Sequence, residues 1–168
     1  MARTQQFCTF YVAGQYFGLD VLKVQEIIHH QAMTWVPLAP RMVRGLINMR
    51  GQIVTAIDMR RRLELPERPA DQEPINVVVQ TEDGLVSLMV DAIGDVLKVD
   101  ESAFERPPDT LKENARELIR GAYKLKERLL LILDINKIVT PDADEAATSA
   151  RVSLQQPNQG AGRVEYSS

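Results

Sequence analysis

Apolar residues along this chain come in short runs rather than long helical stripes. Residues 7–12 (FCTFYV) and 16–19 (YFGL) flank the turn-like AGQ, which predicts a hairpin. Val21, Val24 and Ile28 have helical spacing, but the stretch that copies this one later carries Gly94 mid-segment, costly in a helix by ~1 kcal/mol against alanine. The expectation is a short turn over residues 20–24 running into a strand over 25–29. Pro37 and Pro40 bracket a bend, and Pro40 is suited to open a short helix through Arg44, ended by Gly45. Residues 53–59 (IVTAIDM) are rich in strand formers, and Asp58 is placed to cap a helical turn over 59–63. Residues 129–133 are apolar at every position, as a strand covered on both faces would be.

The pattern occurs twice. Residues 43–63 align with 119–139 at an offset of 76, which sets Gly45 on Gly121, Arg44 on Arg120 and Asp58 on Asp134. Residues 16–28 align with 85–97 at an offset of 69, which sets Val24 on Ile93 and Glu26 on Asp95. One small module is present in two copies, with seven extra residues in the second. Each copy alone is marginal in size, so the two are expected to share a core, with a groove between them. Many short strands and few helices predict two small β-barrels packed together, which also removes exposed sheet edges. Residues 66–74 (PERPADQEP) form the surface linker between copies. From residue 141 onward aromatics nearly vanish and Gln, Ser, Ala, Gly and acids dominate, so residues 141–168 are expected to form a disordered tail.

Composition narrows the function. The net charge of −3 argues against a general nucleic-acid binder. The lone Cys8 excludes an internal disulfide and suits a reducing compartment; within its apolar run it is expected to be a buried, inert thiol. No apolar stretch reaches the ~18–20 residues a membrane span needs, and MARTQQ lacks the apolar core of a signal peptide, so the expected location is cytoplasmic.

Candidate chemistry is sparse. Asp91 and Asp95 lie four apart, and Asp58 and Asp134 are repeat-equivalent; acid–base catalysis is one reading, turn and cap chemistry the favoured one. His29 and His30, adjacent on an expected strand, point to opposite faces and do not make a metal site. Nucleophile elbows, phosphate loops and HExxH helices are absent from the sequence, so neither enzyme activity, cofactor nor metal is expected. Residues 41–62 are more informative, with Arg41, Arg44, Arg50, Arg60, Arg61 and Arg62 against the single acid Asp58. They read either as a solvated face or as a dock for an acidic protein partner, since arginine suits bidentate pairing with carboxylates. A nucleic-acid-binding barrel is the rival reading of Arg60, Arg61 and Arg62, although Trp35 is the only aromatic nearby. Where the copies differ, one has room to specialise: Asn48-Met49-Arg50-Gly51 becomes Lys124-Leu125-Lys126-Glu127, and Gly51 suggests a positive-φ turn that directs Arg50.

Four segments in order, YFGLDVLKVQEII, VRGLINMRGQIVTAIDMR, LVSLMVDAIGDVLKV and LLLILDINKI, make residues 7–140 resemble the CheW family of chemotaxis coupling proteins. The departures are mild: Met49 and Met59 stand where the family usually has leucine, and Ala56 where it often has proline.

The resemblance implies a mainly all-β fold of two intertwined five-stranded SH3-like β-barrels with a few short helices. On this reading residues 1–6 are a tail, the first barrel covers roughly 7–65 and the second roughly 75–140, sharing strands or core. It implies a non-enzymatic adaptor that couples chemoreceptor cytoplasmic tips to the regulatory domain of the histidine kinase CheA, or an equivalent scaffold in a pilus or second-messenger pathway. It also implies arrays at the inner face of the membrane, other CheW copies in array rings, and neither nucleic-acid binding nor membrane insertion. The family's receptor-contact positions match Val24, Glu26, Gly45 and Arg50. Met49 is expected to add apolar contact with a receptor helix in the groove. Kinase docking is expected around Met33, Thr34, Trp35 and Val36, and in the second half.

Overall fold

A computed structural model describes residues 3–29 and 31–141. His30 and the expected tail beyond Pro141 lie outside the described residues.

Strands Thr4–Val12 (β1) and Gln15–Asp20 (β2) form the predicted hairpin. Its two-residue turn, Ala13 (φ 50°) and Gly14 (φ 80°), has both residues in the left-handed region, a geometry that matches the right-handed twist of the flanking strands. A single 3₁₀ turn, Val21–Lys23, leads into Val24–Ile28 (β3), as the sequence predicts. Val43–Met49 (β4) and Gln52–Asp58 (β5) form a second hairpin, followed by the one-turn helix Met59–Arg62 (α1). The second copy repeats the order with Ile75–Thr81 (β6), Gly84–Val90 (β7), Ala92–Asp100 (β8), Ile119–Lys124 (β9), Leu129–Leu133 (β10) and Ile135–Val139 (α3). An unpredicted helix, Glu113–Leu118 (α2), precedes β9.

Two expectations need correction. The helix expected from Pro40 to Arg44 is absent: the Val43 N–H returns to the Pro40 carbonyl at 2.9 Å in a tight turn, and β4 starts there. Leu46 then exchanges both backbone hydrogen bonds with Thr34, and this long-range pairing overrides the local helix-start signal. Strand β1 begins at Thr4, inside the stretch expected to be a tail, because Thr4 pairs with Asp100.

The strands form two five-stranded sheets of order β8-β1-β2-β10-β9 and β3-β6-β7-β5-β4. Exchanging each strand for its repeat partner converts one order into the other. The sheets do not coincide with the sequence halves 7–65 and 75–140: each half contributes strands to both. The pseudo-two-fold extends to single bonds. Asp58 N–H donates to the Met42 carbonyl and Asp134 N–H to the Leu118 carbonyl, each at 2.8 Å and each 76 residues apart from its mate.

Because both faces of the central strands are covered, three cores result. Ile47, Val54, Val78 and Met89 fill the interior of the second sheet, and Phe7, Tyr16, Leu130 and Ile132 that of the first. Between the sheets, Phe10, Phe17, Ile57, Leu88, Leu131 and Ile138 form the shared core. Leu129–Leu133 shows the principle, with Leu130 and Ile132 facing one core and Leu131 and Leu133 the other. Each such side chain contributes about 1.5–3 kcal/mol on burial, so the shared core welds the halves into one body.

Candidate functional site

The β4–β5 connection holds the most specialised geometry. Arg50 (φ 51°) and Gly51 (φ 88°) make a two-residue turn with both residues left-handed, and the Asn48 side-chain oxygen accepts the Gly51 N–H at 2.9 Å. A non-glycine residue in this region is uncommon, and the turn aims the Arg50 side chain across the sheet mouth. There it forks onto Glu26 of β3, Nη2 to Oε1 at 2.5 Å and Nη1 to Oε2 at 3.4 Å. Because β3 and β4 are the two edges of their sheet, this pair clips the edges together and closes the barrel. Arg50's hydrogen bond holds the Glu26 carboxyl below the usual carboxylate range. The repeat-equivalent residues, Lys126 and Asp95, make no ion pair among the described residues, so the clip belongs to one copy only.

Beside the clip, residues 31–42 cross as a strap, pinned where Thr34 pairs with Leu46. A Cβ on Gly45 would sit 2.8 Å from the Thr34 carbonyl oxygen and 3.2 Å from Met33 Cβ. Gly45 is buried, and it permits the strap's close approach rather than ending a helix. Gly121 does the same for residues 104 and 105 in the other barrel. The strap presents Trp35, 74% exposed, and Leu38, 61% exposed with φ 64°. Val36 lines a cavity of about 550 Å³ with Leu46, Ile53 and Val86.

The site residues separate in depth. Glu26 and Arg50 reach the surface, and Val24 is half-buried against the shared core. Met49 is a correction: it is 8% exposed and packs inside the barrel with Val78 and Met89, because it lies on the inward face with Ile47. Met33 is half-buried on the same core, while Thr34 and Trp35 face out. Sequence reasoning missed Ile53, 60% exposed at the cavity rim. Its strand is apolar on both faces, so alternation did not distinguish it.

The arginine run resolves residue by residue. Arg60 and Arg62 are buried, so they form no basic nucleic-acid surface. Arg60 donates to both Asp91 oxygens and to the Pro66 and Glu67 carbonyls. Arg68 also reaches Asp91, at 3.0 Å, and the Ala13 N–H donates to the same carboxylate at 2.6 Å. Asp91 therefore ties the linker, α1 and the β1–β2 turn together. Its oxygens are saturated while Asp95 is exposed, which removes the acid–base pairing of the two. Asp58 and Asp134 accept backbone N–H groups at the starts of α1 and α3, as cap chemistry predicts. Arg41 and Arg61 pair with Glu67, which leaves Arg44 without an ion pair among the described residues. Among those residues no group of three or more His, Cys, Asp and Glu side chains converges as a metal site, and no helix is long and apolar enough to cross a membrane. Cys8 is half-buried, and burial pushes its thiol up.

The CheW-like domain profile matches residues 6–142, which is most of the chain and all of the two-sheet body but the first two residues of β1. The chain belongs to the CheW-like family. This CheW-like chain is 30% identical over 138 residues to the chemotaxis protein CheW of Klebsiella aerogenes, covering 82% of this chain and 83% of that protein. It is 31% identical over 143 residues to chemotaxis protein CheW of Bacillus subtilis, covering 85% and 92%. The crystal structure of the scaffolding protein TtCheW from Thermoanaerobacter tengcongensis superposes with a TM-score of 0.76 at 25% identity, over 85% of this chain and 97% of that one. The SH3-like double-barrel architecture expected of a CheW-like chain is therefore the one observed.

Proposed function

We propose that this CheW-like protein is a non-enzymatic adaptor that joins chemoreceptor cytoplasmic tips to the kinase CheA. The supporting observation is the family match across both barrels, with relatives named as chemotaxis and scaffolding proteins. The receptor surface is assigned to Val24, Glu26 and Arg50, where an exposed ion pair lies beside a half-buried apolar residue. A helix from a receptor tip would lie along β3 and the β4–β5 turn, a helix-in-groove mode. Gly45 and Met49 support this surface from beneath, Gly45 by seating the strap and Met49 by filling the barrel. The strap face with the exposed Trp35 is assigned to the kinase regulatory domain. A large exposed aromatic is the residue type that anchors interfaces.

Co-sedimentation of the protein with CheA and a receptor cytoplasmic fragment tests the reading. The expected result is a ternary pellet that needs this protein and raises kinase activity. Absence of either partner from the pellet would refute it.

A further inference from the structure

Among the described residues the pseudo-two-fold fails at one corner, and a surface is exposed there. In one half, the corner after β7 is covered by the chain's own linker. Arg60 holds the Pro66 and Glu67 carbonyls there, and Arg68 reaches Asp91. The repeat offsets carry Asp91 onto Leu22 and Arg60 onto Asn136. Glu64, with φ 57°, reverses direction after α1, whereas Thr140 leaves α3 extended at φ −91° and ψ 118°. No described residue covers this second corner, where Lys23, Arg120 and Asn136 are exposed around a cavity of about 260 Å³ between the 3₁₀ turn after β2 and the start of α3.

The charges around this cavity are uneven in availability. Asp20 accepts the Leu22 N–H at 2.9 Å and the Gln5 amide at 3.2 Å, and Asp134 accepts the Lys137 N–H at 3.3 Å. Both carboxylates are thus engaged in local hydrogen bonds. Lys23 and Arg120 line the same cavity, are exposed, and have no ion-pair partner among the described residues. Asn136 carries an amide where Arg60 carries the guanidinium that grips the linker carbonyls. Leu22, the residue before Lys23, is 87% exposed, the most exposed of the large apolar side chains described.

We propose that this corner binds an extended acidic segment of a partner protein, laid across it as the linker is laid across its counterpart. The segment's carboxylates meet Lys23 and Arg120, its backbone carbonyl meets the Asn136 amide, and an apolar side chain covers Leu22. The polarity is the inverse of the covered corner, where the chain supplies the base and the corner the acid. This surface stands independently of the receptor and kinase assignments above.

The probe is the peptide LPEEPA, which is residues 65–70 with the arginine replaced by glutamate, titrated into the isotope-labelled full chain at low salt and followed by amide NMR shifts. The expected result is saturable shifts at Leu22, Lys23, Arg120 and Asn136 at about millimolar peptide. The K23E/R120E variant should weaken binding at least tenfold, and N136A severalfold, with the rest of each spectrum unchanged. Shifts elsewhere, no shifts, or equal binding of LPKKPA would overturn the proposal. So would binding that emerges only after Asp142, Asp144 and Glu145 are changed to amides, since the chain's own acids would then be the occupant.

Discussion

Arg50 and Glu26 join the two edges of one sheet, 24 residues apart in sequence and 2.5 Å apart at Nη2 and Oε1. Two positions that the sequence resemblance offered as separate receptor contacts are one structural unit. Arg50 cannot offer its full fork to a receptor carboxylate while it holds Glu26.

That arrangement makes a charge-swap test decisive. Single Glu26→Arg and Arg50→Glu changes should each weaken binding of a receptor fragment by about tenfold, since each sets like charges together at the barrel mouth. The E26R/R50E double variant restores the clip and should recover most of the affinity. Thermal stability should hardly move, because the pair is solvent-exposed. Titration calorimetry with the receptor fragment reads all three; a double variant as weak as the singles would mean that each residue meets the receptor on its own.

Gly45→Ala should displace the strap rather than a receptor contact. The added methyl meets the Thr34 carbonyl at 2.8 Å, backbone that has no rotamer to yield. Overpacking of this kind costs about 1–3 kcal/mol. Trp35, the single tryptophan, stands one residue from the clash and reports the shift. Its emission and acrylamide quenching should change in G45A. Identical quenching in variant and parent would return Gly45 to a direct contact role.

Much of this was legible in the sequence where the signal is local. Asp58 and Asp134 announced helix starts because a short acceptor before a helical turn has one common use. The run Leu129–Leu133 announced a doubly covered strand. The Ala13-Gly14 turn was visible as punctuation between apolar runs. What stayed hidden was set by distant neighbours. Gly45 read as a helix stop because its real constraint, Thr34, arrives from eleven residues away by a folded-back strap. Met49 read as a surface contact because both faces of its strand carry apolar residues. Arg60, Arg61 and Arg62 read as one basic patch. Successive helical positions point about 100° apart, so Arg60 turns to Asp91, Arg61 to Glu67 and Arg62 to α3. The exchange of strands between halves is likewise invisible, because a repeat fixes strand types but not their partners.

Asp91→Asn tests the linker tie and its pH dependence. Burial pushes the Asp91 carboxyl up, but hydrogen bonds from Arg60, the Ala13 N–H and Arg68 together outweigh it and hold the group below its ordinary 3.8. A carboxylate with a depressed folded pKa stabilises the protein above its unfolded pKa, and that contribution is lost as pH falls through the folded value. The variant should therefore be less stable near neutrality, by about 3 kcal/mol for a broken buried pair. Its deficit should narrow below pH 3.8 as the parent's carboxylate protonates. Urea midpoints from neutral pH down into the acid range measure this. A deficit constant across that range would show that the charge on Asp91 is not what holds the linker.

Arg62 tests whether the two barrels are one folding unit. Its Nε donates to the Ile138 carbonyl at 2.8 Å, and its Nη2 to the Lys137 and Thr140 carbonyls at 2.9 and 2.8 Å. Positions 62 and 138 are repeat mates, so the side chain spans the pseudo-two-fold and closes the end of α3. Arg62→Ala leaves the buried Ile138 carbonyl unmatched, strips a charged donor from the part-buried Lys137 and Thr140 carbonyls, and should cost about 3 kcal/mol. Arg62→Lys, lacking the planar fork, should recover only part of it. Trp35 fluorescence follows one barrel, and near-ultraviolet signals of Tyr11, Tyr16 and Tyr123 follow the other. Both probes should shift to the same lower urea midpoint in R62A, because the shared core couples the sheets. Separate midpoints for tryptophan and tyrosine would mean that Arg62, and not the core, makes the halves cooperative.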